Sequence, residues 1–314
     1  MKKYFLFLVV AAIATTLSLT SCSQDDDVKV PTDKGVVKFS SNITDLNPAL
    51  RAAGNSWDKD DAIGVYMLES ETSTVVGGMA NVEYTTSTNG TSGTFTAKGA
   101  AIYFPLNGDQ VRFMSYYPHN GDVTTNGNVY SVNVATQSDQ SKIDLLYAFK
   151  EDDIFDITTT GPVSLAFEHQ LTKVIINVKA GNGLTPEDLQ NLKVHFNGLN
   201  TQADFDLFTG TLGTPEVTAN IIPATTSAAD GFVASYEAII LPMATAPEGS
   251  KIVFDLNGEE DADEYKIFTW NFVGGLESAT KYIYNVTINR TGVELSATIK
   301  DWIGGETPTE IIAD

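Results

Sequence analysis

Apolar and polar positions alternate with a period of two along most of the chain. Short segments rich in Val, Ile, Tyr, Phe and Thr recur, and a period of two places alternate side chains on one face of a strand. Asn-Gly pairs separate many of these segments, and both residues tolerate the positive φ of hairpin turns. The pattern predicts strands at residues 36–43, 62–68, 111–117, 128–134, 173–180, 193–199, 235–241, 251–256, 264–270, 281–288 and 294–300.

Helical signals are scarce. The best is residues 185–193, where Thr185 suits an N-cap, Pro186 suits the first turn, and Glu187 and Asp188 complement the positive end of a helix. A second segment, residues 141–149, is compatible with either helix or strand. The sequence therefore predicts an all-β protein with at most one or two short helices.

Many short strands separated by turn signals are typical of β-sandwiches of Greek-key type. The chain has 314 residues, which is long for one domain and natural for two. A stretch without apolar periodicity ends in Gly161-Pro162. We therefore predict two β-sandwich domains in series, at residues 36–160 and 161–314, the second carrying a C-terminal tail.

The N-terminus has the pattern of a secretory signal. Lys2 and Lys3 precede an apolar run at residues 4–19, which is too short and too weakly flanked for an ordinary membrane span. Leu19-Thr20-Ser21-Cys22 resembles a bacterial lipobox, and Cys22 is the only cysteine of the chain. The resemblance implies a signal peptide at residues 1–21 and a lipid on Cys22. The alternative is a plain signal peptide with an incidental cysteine.

An acidic linker is predicted at residues 22–35. Asp25-Asp26-Asp27 within it resembles the surface-export signal of Bacteroidetes lipoproteins, which implies a lipoprotein facing outward from the outer membrane. The alternative is a solvated tether, because a short run of charges needs no partner.

The charge balance excludes one class of partner. Asp and Glu number 40 and Lys and Arg 19, which gives a net charge of −21. Loss of Lys2 and Lys3 with the signal would leave about −23. Such a surface repels nucleic acid and anionic lipid, so no nucleic-acid partner is expected.

Candidate catalytic and metal-ligating residues form no recognisable motif. His119, His169 and His195 are widely spaced, and His169 and His195 fall in strand patterns, where a packed imidazole is expected rather than a zinc ligand. Residues 257–264 cluster carboxylates that could bind calcium, but they lack the EF-hand spacing and suit a solvated hairpin better. Nucleophile-elbow, zincin and phosphate-loop motifs are absent. We predict neither an enzyme nor a metal or cofactor.

Several motifs occur in a characteristic order. They are Arg51-Ala52 after the first strand, Trp57 and Asp61 before Ile-Gly-Val, a Phe-Pro turn leading to Tyr-Tyr-Pro, a Phe-x-His-x-Leu strand and a late Asp-Trp. Together they resemble the Bacteroidetes fimbrillin family, also called Mfa-like or type V pilin subunits. Many members carry Gly where this chain has Asp60. The large side chains of the motifs suit sandwich cores: Trp57, Phe104, Phe113, Tyr116, Phe167 and Trp302.

The resemblance implies a fold and a function. The fold is transthyretin-like, and the function is that of a structural and adhesive subunit of surface fimbriae, made as an outer-membrane lipoprotein. An Arg-specific protease would cut between Arg51 and Ala52, the strand within residues 36–46 would leave, and a strand of another subunit would replace it. The expected donor is the tail at residues 304–314, with residues 294–302 contributing if the donor is long. The alternative is that Arg51 is an ordinary surface arginine and is not cut. The expected partners are other fimbrial subunits, the outer membrane before processing, and a ligand on a host or bacterial surface.

Two other functions stay open at this point. One is a carbohydrate-binding surface lipoprotein of a glycan-uptake system, which would need exposed aromatic platforms. The other is an accessory domain of a secreted glycosidase, which the missing catalytic motifs disfavour.

Overall fold

The computed structural model describes residues 35–43, 56–256, 267–272, 274–301 and 309–312. Within these residues the regular structure consists of β-strands and two short 3₁₀ turns, which confirms the all-β prediction. No helix among the described residues is long and apolar enough to cross a membrane.

The strands are numbered in chain order. They are β1 (Phe39–Ile43), β2 (Ala62–Glu69), β3 (Val82–Thr86), β4 (Ser92–Ala97), β5 (Val111–Tyr117), β6 (Val129–Asn133), β7 (Leu146–Ala148), β8 (Val163–His169), β9 (Thr172–Ala180), β10 (Lys193–Asp206), β11 (Thr211–Leu212), β12 (Glu216–Ile221), β13 (Ala224–Thr226), β14 (Ala234–Ile240), β15 (Lys251–Asp255), β16 (Ile267–Asn271), β17 (Thr280–Asn289), β18 (Gly292–Asp301) and β19 (Thr309–Ile312).

Seven strands close into a barrel in the order β1-β4-β3-β2-β5-β7-β8. All neighbours in the barrel are antiparallel except β1 and β8, which run parallel. The pair β1–β8 is therefore the seam at which the barrel closes.

Two further sheets pack around a second core. In one, β10 pairs with β12 and β11 along one side and with β15 and β6 along the other, and β16 pairs with β15. The other has the order β13-β14-β9-β17-β18-β19, with only the pair β9–β17 parallel. Buried side chains of both sheets, such as Phe196 and Ile176, belong to one apolar cluster, so the sheets face each other as a sandwich.

The two cores share strands β2 and β5. Val65 and Phe113 point into the barrel, whereas Tyr66, Met114 and Tyr116 belong to the sandwich core on the other face. Every residue of β5 is buried. A strand covered on both faces needs apolar residues at successive positions, which is why "VRFMSYY" does not alternate.

Strands from each side of residue 161 cross to the other part of the fold. Strand β6 precedes that residue but pairs with β10, and β8 follows it but pairs with β1 and β7. The domain boundary near residue 161 stays a prediction.

The segments with helical signals form only single turns. Residues 185–193 contain a four-residue 3₁₀ turn at Pro186–Leu189, in which Asp188 Oδ2 accepts hydrogen bonds from the Thr185 backbone N–H (2.8 Å) and hydroxyl (3.0 Å). The turn cannot lengthen, because β10 begins at Lys193. In residues 141–149 a 3₁₀ turn at Gln140–Lys142 leads into strand β7.

One motif glycine is explained by packing. Gly64 of β2 lies opposite Tyr116 of β5, and a Cβ atom at Gly64 would overlap the Tyr116 ring. The Tyr116 hydroxyl donates to Asn81 Oδ1 at 2.7 Å, which holds the ring in place. Glycine is required here because the ring fills the space of a side chain.

Asp60 occupies the turn before β2 with φ of 73°, in the left-handed region. Asp tolerates this region better than most residues, whereas Ala does not. We expect Asp60→Ala to lower the free energy of unfolding by about 1 kcal/mol and Asp60→Gly to cause no loss. Both variants remove the same charge, so urea unfolding separates the backbone effect from electrostatics. Equal stabilities of the two variants would contradict the explanation.

Candidate functional site

The site with the clearest functional geometry is the slot that β1 occupies in the barrel. Val37, Phe39, Ser41 and Ile43 are all buried, whereas Lys38 and Asn42 are exposed. This matches the predicted alternation, in which one side of the first strand faces a core. Burial of Val, Ile or Phe contributes about 2 kcal/mol per side chain, so these residues hold β1 in place.

The Phe39 ring is the central contact of the slot. Its centroid lies 4.9 Å from that of Tyr84 and 5.1 Å from that of Phe113, both in edge-to-face geometry. The side chain is fully buried. Edge-to-face aromatic pairs stabilise beyond their buried area, so Phe39 joins β1 firmly to β3 and β5.

Trp57 packs at the end of the slot that lies away from the start of β1. Its ring meets those of Phe95, Tyr117 and Phe167 at centroid distances of 5.1 to 5.3 Å. Of the six aromatic anchors named from the sequence, Trp57, Phe104, Phe113, Tyr116 and Phe167 are buried, and Trp302 lies outside the described residues.

Main-chain pairing fixes β1 on both edges. Phe39 to Asn42 pair antiparallel with β4, and Phe39 to Ile43 pair parallel with β8. Strands β4 and β8 both lie far from β1 in the sequence, so no hairpin turn joins β1 to either neighbour. A single break between residue 43 and Ser56 would leave β1 attached to the rest of the barrel by non-covalent contacts alone.

One buried group of β1 is imperfectly satisfied. The Ser41 hydroxyl is buried, yet Oγ has no hydrogen-bond partner among the described residues. A buried unsatisfied hydroxyl costs about 1–3 kcal/mol. Phe39 and its apolar neighbours therefore hold β1 in the barrel, whereas the buried Ser41 hydroxyl makes the packing of the strand less stable.

A polar cavity of about 260 Å³ lies where β1 ends at Ile43. Its lining includes Asp61, Tyr117, Asp144, Lys173 and Glu237. Two pairs of these polar groups contact each other: Lys173 Nζ lies 3.0 Å from Glu237 Oε2, and the Tyr117 hydroxyl donates to Asp61 Oδ1 at 3.0 Å. We assign these paired side chains a structural role, whereas Trp57, which also lines the cavity, has a buried Nε1 without a hydrogen-bond partner among the described residues.

Burial dominates the electrostatics of this cavity. It raises the pKa of Tyr117, with the Asp61 carboxylate adding to the effect, and it also raises the pKa of Asp61. Tyr117 therefore stays protonated at neutral pH and keeps donating to Asp61.

The three histidines lie apart from one another. His169 is buried with Nδ1 2.8 Å from Asp144 Oδ1, His195 lies on β10, and His119 follows β5 in a loop where burial lowers its pKa. Among the described residues no three His, Cys, Asp or Glu side chains are grouped to hold a metal ion. The acidic segment 257–264 lies outside the described residues.

The predicted modification sites also lie outside the described residues. These sites are Cys22, Arg51 and Ala52. Lipidation and cleavage therefore stay predictions. Sequence reasoning missed the polar pairs Asp144–His169 and Lys173–Glu237, since each joins residues far apart in the chain. The one signal available was the presence of ionisable residues inside apolar strand patterns.

Crystal structures of two Bacteroides proteins are similar to this fold. A crystal structure of a cell adhesion protein from Bacteroides uniformis superposes with a TM-score of 0.69 at 33% identity, covering 87% of this chain and 99% of that one. A second, from Bacteroides ovatus, has a TM-score of 0.66 at 25% identity over 86% and 99% of the two chains.

Comparison of sequences identifies the family. A protein from Bacteroides uniformis that is named as a fimbrium subunit, Fim1C, is 34% identical over 98% of this chain and 99% of its own length. The model of the fimbrillin-like family matches residues 51–302. The chain belongs to the fimbrillin-like family, which confirms the resemblance found in the sequence motifs.

The contribution of Phe39 to the slot can be measured. We expect Phe39→Ala to lower the free energy of unfolding by about 3–5 kcal/mol, because it removes a fully buried ring. Asn42→Ala on the exposed face of the same strand is the matched control and should stay within about 0.5 kcal/mol of wild type. Urea unfolding of the uncut chain provides the measurement. Similar small effects of both variants would show that β1 does not seal the core.

Proposed function

We propose that this protein is a structural and adhesive subunit of surface fimbriae that is exported as a lipoprotein and assembles by exchange of its first strand. Cys22 carries the lipid, cleavage between Arg51 and Ala52 releases β1, and a segment of another subunit fills the slot. The observation that carries the proposal is that β1 closes the barrel without a hairpin link to either neighbour.

The chemistry of an empty slot supports exchange. Without β1, the edges of β4 and β8 lose their main-chain partners, and the rings of Tyr84 and Phe113 lose the contact with Phe39. Unpaired strand edges with an apolar floor are stabilised by an added strand, which satisfies both. The buried Ser41 hydroxyl favours exchange further, since an incoming apolar side chain at that position avoids its cost.

The distribution of arginines supports the cleavage site. The chain has three arginines, Arg51, Arg112 and Arg290. Arg112 is buried in β5, where its guanidinium donates to the backbone oxygens of Glu69 and Thr72, and Arg290 lies in the tight turn between β17 and β18. Burial removes Arg112 as a substrate, and the small residues Ala52, Ala53 and Gly54 after Arg51 suit a loop that a protease can enter.

The C-terminal tail is suited to be the donor. Thr309–Ile312 pair antiparallel with β18 at the edge of a sheet. In its own subunit the tail pairs with β18 along one edge only. In the slot of another subunit it would pair along both edges, with β4 and with β8. The gain in main-chain hydrogen bonds and apolar contacts provides a driving force for assembly.

Lipidation is tested at Cys22. We expect Cys22→Ala to release the protein from membranes or to stall its precursor, because the acyl chains provide the anchor. Ser23→Ala is the matched control and should fractionate like wild type. The measurements are membrane fractionation and metabolic labelling with an acyl chain. Unchanged fractionation of Cys22→Ala, with no label on wild type, would refute the lipoprotein assignment.

Strand exchange is tested by controlled cleavage. We expect an Arg-specific protease to cut the purified precursor after Arg51 and to produce polymers, and we expect Arg51→Ala to remain uncut and monomeric. Arg290→Ala is the matched control and should behave like wild type. N-terminal sequencing and light scattering provide the readouts.

Two results would contradict strand exchange. One is clean cleavage after Arg51 with persistent monomers. The other is equal polymer formation by Arg51→Ala and by a chain truncated after Trp302.

A further inference from the structure

The slot that β1 occupies holds a small side chain at its middle position. Ser41 faces the barrel core between Phe39 and Ile43, and it is 1% exposed. Its cross-strand partner on β4 is Gly93, and its partner on β8 is Leu165. Serine and glycine therefore face each other in a core that is built mainly from large side chains.

The rings of Phe95 and Trp57 fill the space beside this small pair. A Cβ atom at Gly93 would lie 2.8 Å from Phe95 Cε2 and 3.2 Å from Trp57 Cδ1, both closer than ordinary van der Waals contact. Glycine is required on β4 because the two rings take the place of its side chain. The same rings limit the room in front of Ser41, since directly opposite residues of paired strands project to the same face of a sheet.

The Trp57 ring reaches across the floor of the slot. Its centroid lies 5.1 Å from that of Phe95 on β4 and 5.2 Å from that of Phe167 on β8. Strands β4 and β8 are the two neighbours of β1, so a ring that contacts both passes beneath β1. Phe95 faces the residue two before Ser41, and Phe167 faces the residue two after it. The indole therefore lies under the position of Ser41.

The indole is held in place by its neighbours. A third edge-to-face contact joins it to Tyr117 at 5.3 Å, and Trp57 is 1% exposed. Trp57 Nε1 and Ser41 Oγ both lack a hydrogen-bond partner among the described residues. Side-chain size, rather than hydrogen bonding, therefore governs which residue fits here, because a close-packed core loses stability when a larger side chain is forced into it.

We propose that Trp57 and Gly93 form a size filter in the slot, which admits a segment of another fimbrial subunit only where Ser, Ala or Gly faces Gly93. The inference rests on the proposed strand exchange and names the feature of the incoming segment that the slot selects. Two residues earlier, the segment needs a large apolar side chain, which replaces Phe39 against Tyr84 and Phe113. Exclusion of larger side chains by a fixed wall gives specificity without any added attraction.

The size filter also sets the register of the incoming strand. A shift by two residues would keep alternate side chains facing inward but would place a large one against Trp57. A shift by one residue would turn the whole apolar set outward. The filter therefore selects one register out of those that the alternation allows.

The test changes the incoming strand and leaves the protein intact. The full-length chain is cut after Arg51, and exchange of β1 for a labelled synthetic peptide of residues 36–43 is followed by fluorescence anisotropy. The peptide is compared with versions that carry Ser41→Ala, Ser41→Leu or the matched control Asn42→Leu, which places the same leucine on the exposed face of the strand. The cut chain carrying Trp57→Phe, whose smaller ring leaves more room, is measured with the same peptides.

We expect the Ser41→Ala peptide to bind at least as tightly as the native peptide, because the hydroxyl has no partner. The Ser41→Leu peptide should bind at least about tenfold more weakly, since it overpacks the slot. The Asn42→Leu peptide should stay within about twofold of the native peptide. In the Trp57→Phe chain the difference between the native and Ser41→Leu peptides should shrink, and this comparison within one chain cancels any general loss of stability.

Equal affinities of the native and Ser41→Leu peptides would overturn the size filter and leave strand exchange intact. An equal loss with Asn42→Leu would also overturn it, because the loss would then not come from the inward face. An unchanged difference in the Trp57→Phe chain would overturn the role of Trp57. Failure of the cut wild-type chain to take up the native peptide refutes strand exchange, and the size filter with it.

Discussion

Closure of the barrel by β1 is the constraint on which the rest of the molecule depends. The strand is paired on both edges and places Phe39 against Tyr84 and Phe113 at the centre of the barrel core. These contacts are non-covalent, because no hairpin joins β1 to β4 or β8. The same feature completes the uncut fold and underlies the proposed exchange of this one strand.

The remaining barrel strands are supported from outside. Strands β2 and β5 bury both faces, one in the barrel and one in the sandwich core, so Tyr66, Met114 and Tyr116 tie the barrel to the second half of the molecule. A barrel that loses β1 would still be held along this shared wall. An open slot in a supported barrel presents fixed edges to an incoming strand, whereas an unsupported sheet would relax and lose them.

The polar contacts near the end of β1 serve a different purpose from the apolar ones. Asp144–His169 and Lys173–Glu237 are buried polar pairs, and Asp144, Lys173 and Glu237 line the cavity at the end of β1. Buried pairs of this kind contribute little net stability, but a mispaired arrangement is costly. Their best-supported effect here is to fix the relative placement of β7, β8, β9 and β14, on which the parallel partner of β1 depends.

The sequence by itself determined the all-β class, the inward face of the first strand and the family. A period of two is a local property, so the burial of Val37, Phe39 and Ser41 follows from the residues alone, and the order of the motifs around Trp57 and Tyr116 is specific to fimbrillins. Only the tertiary structure decided which strands are neighbours: the parallel β1–β8 seam, the transfer of β6 to the sandwich sheet, the double burial of β5 and the buried pairs of Lys173 and His169. Each of these features joins segments that lie far apart in the chain. Which segments pair depends on how apolar surface is buried over the whole fold, and no local pattern encodes that.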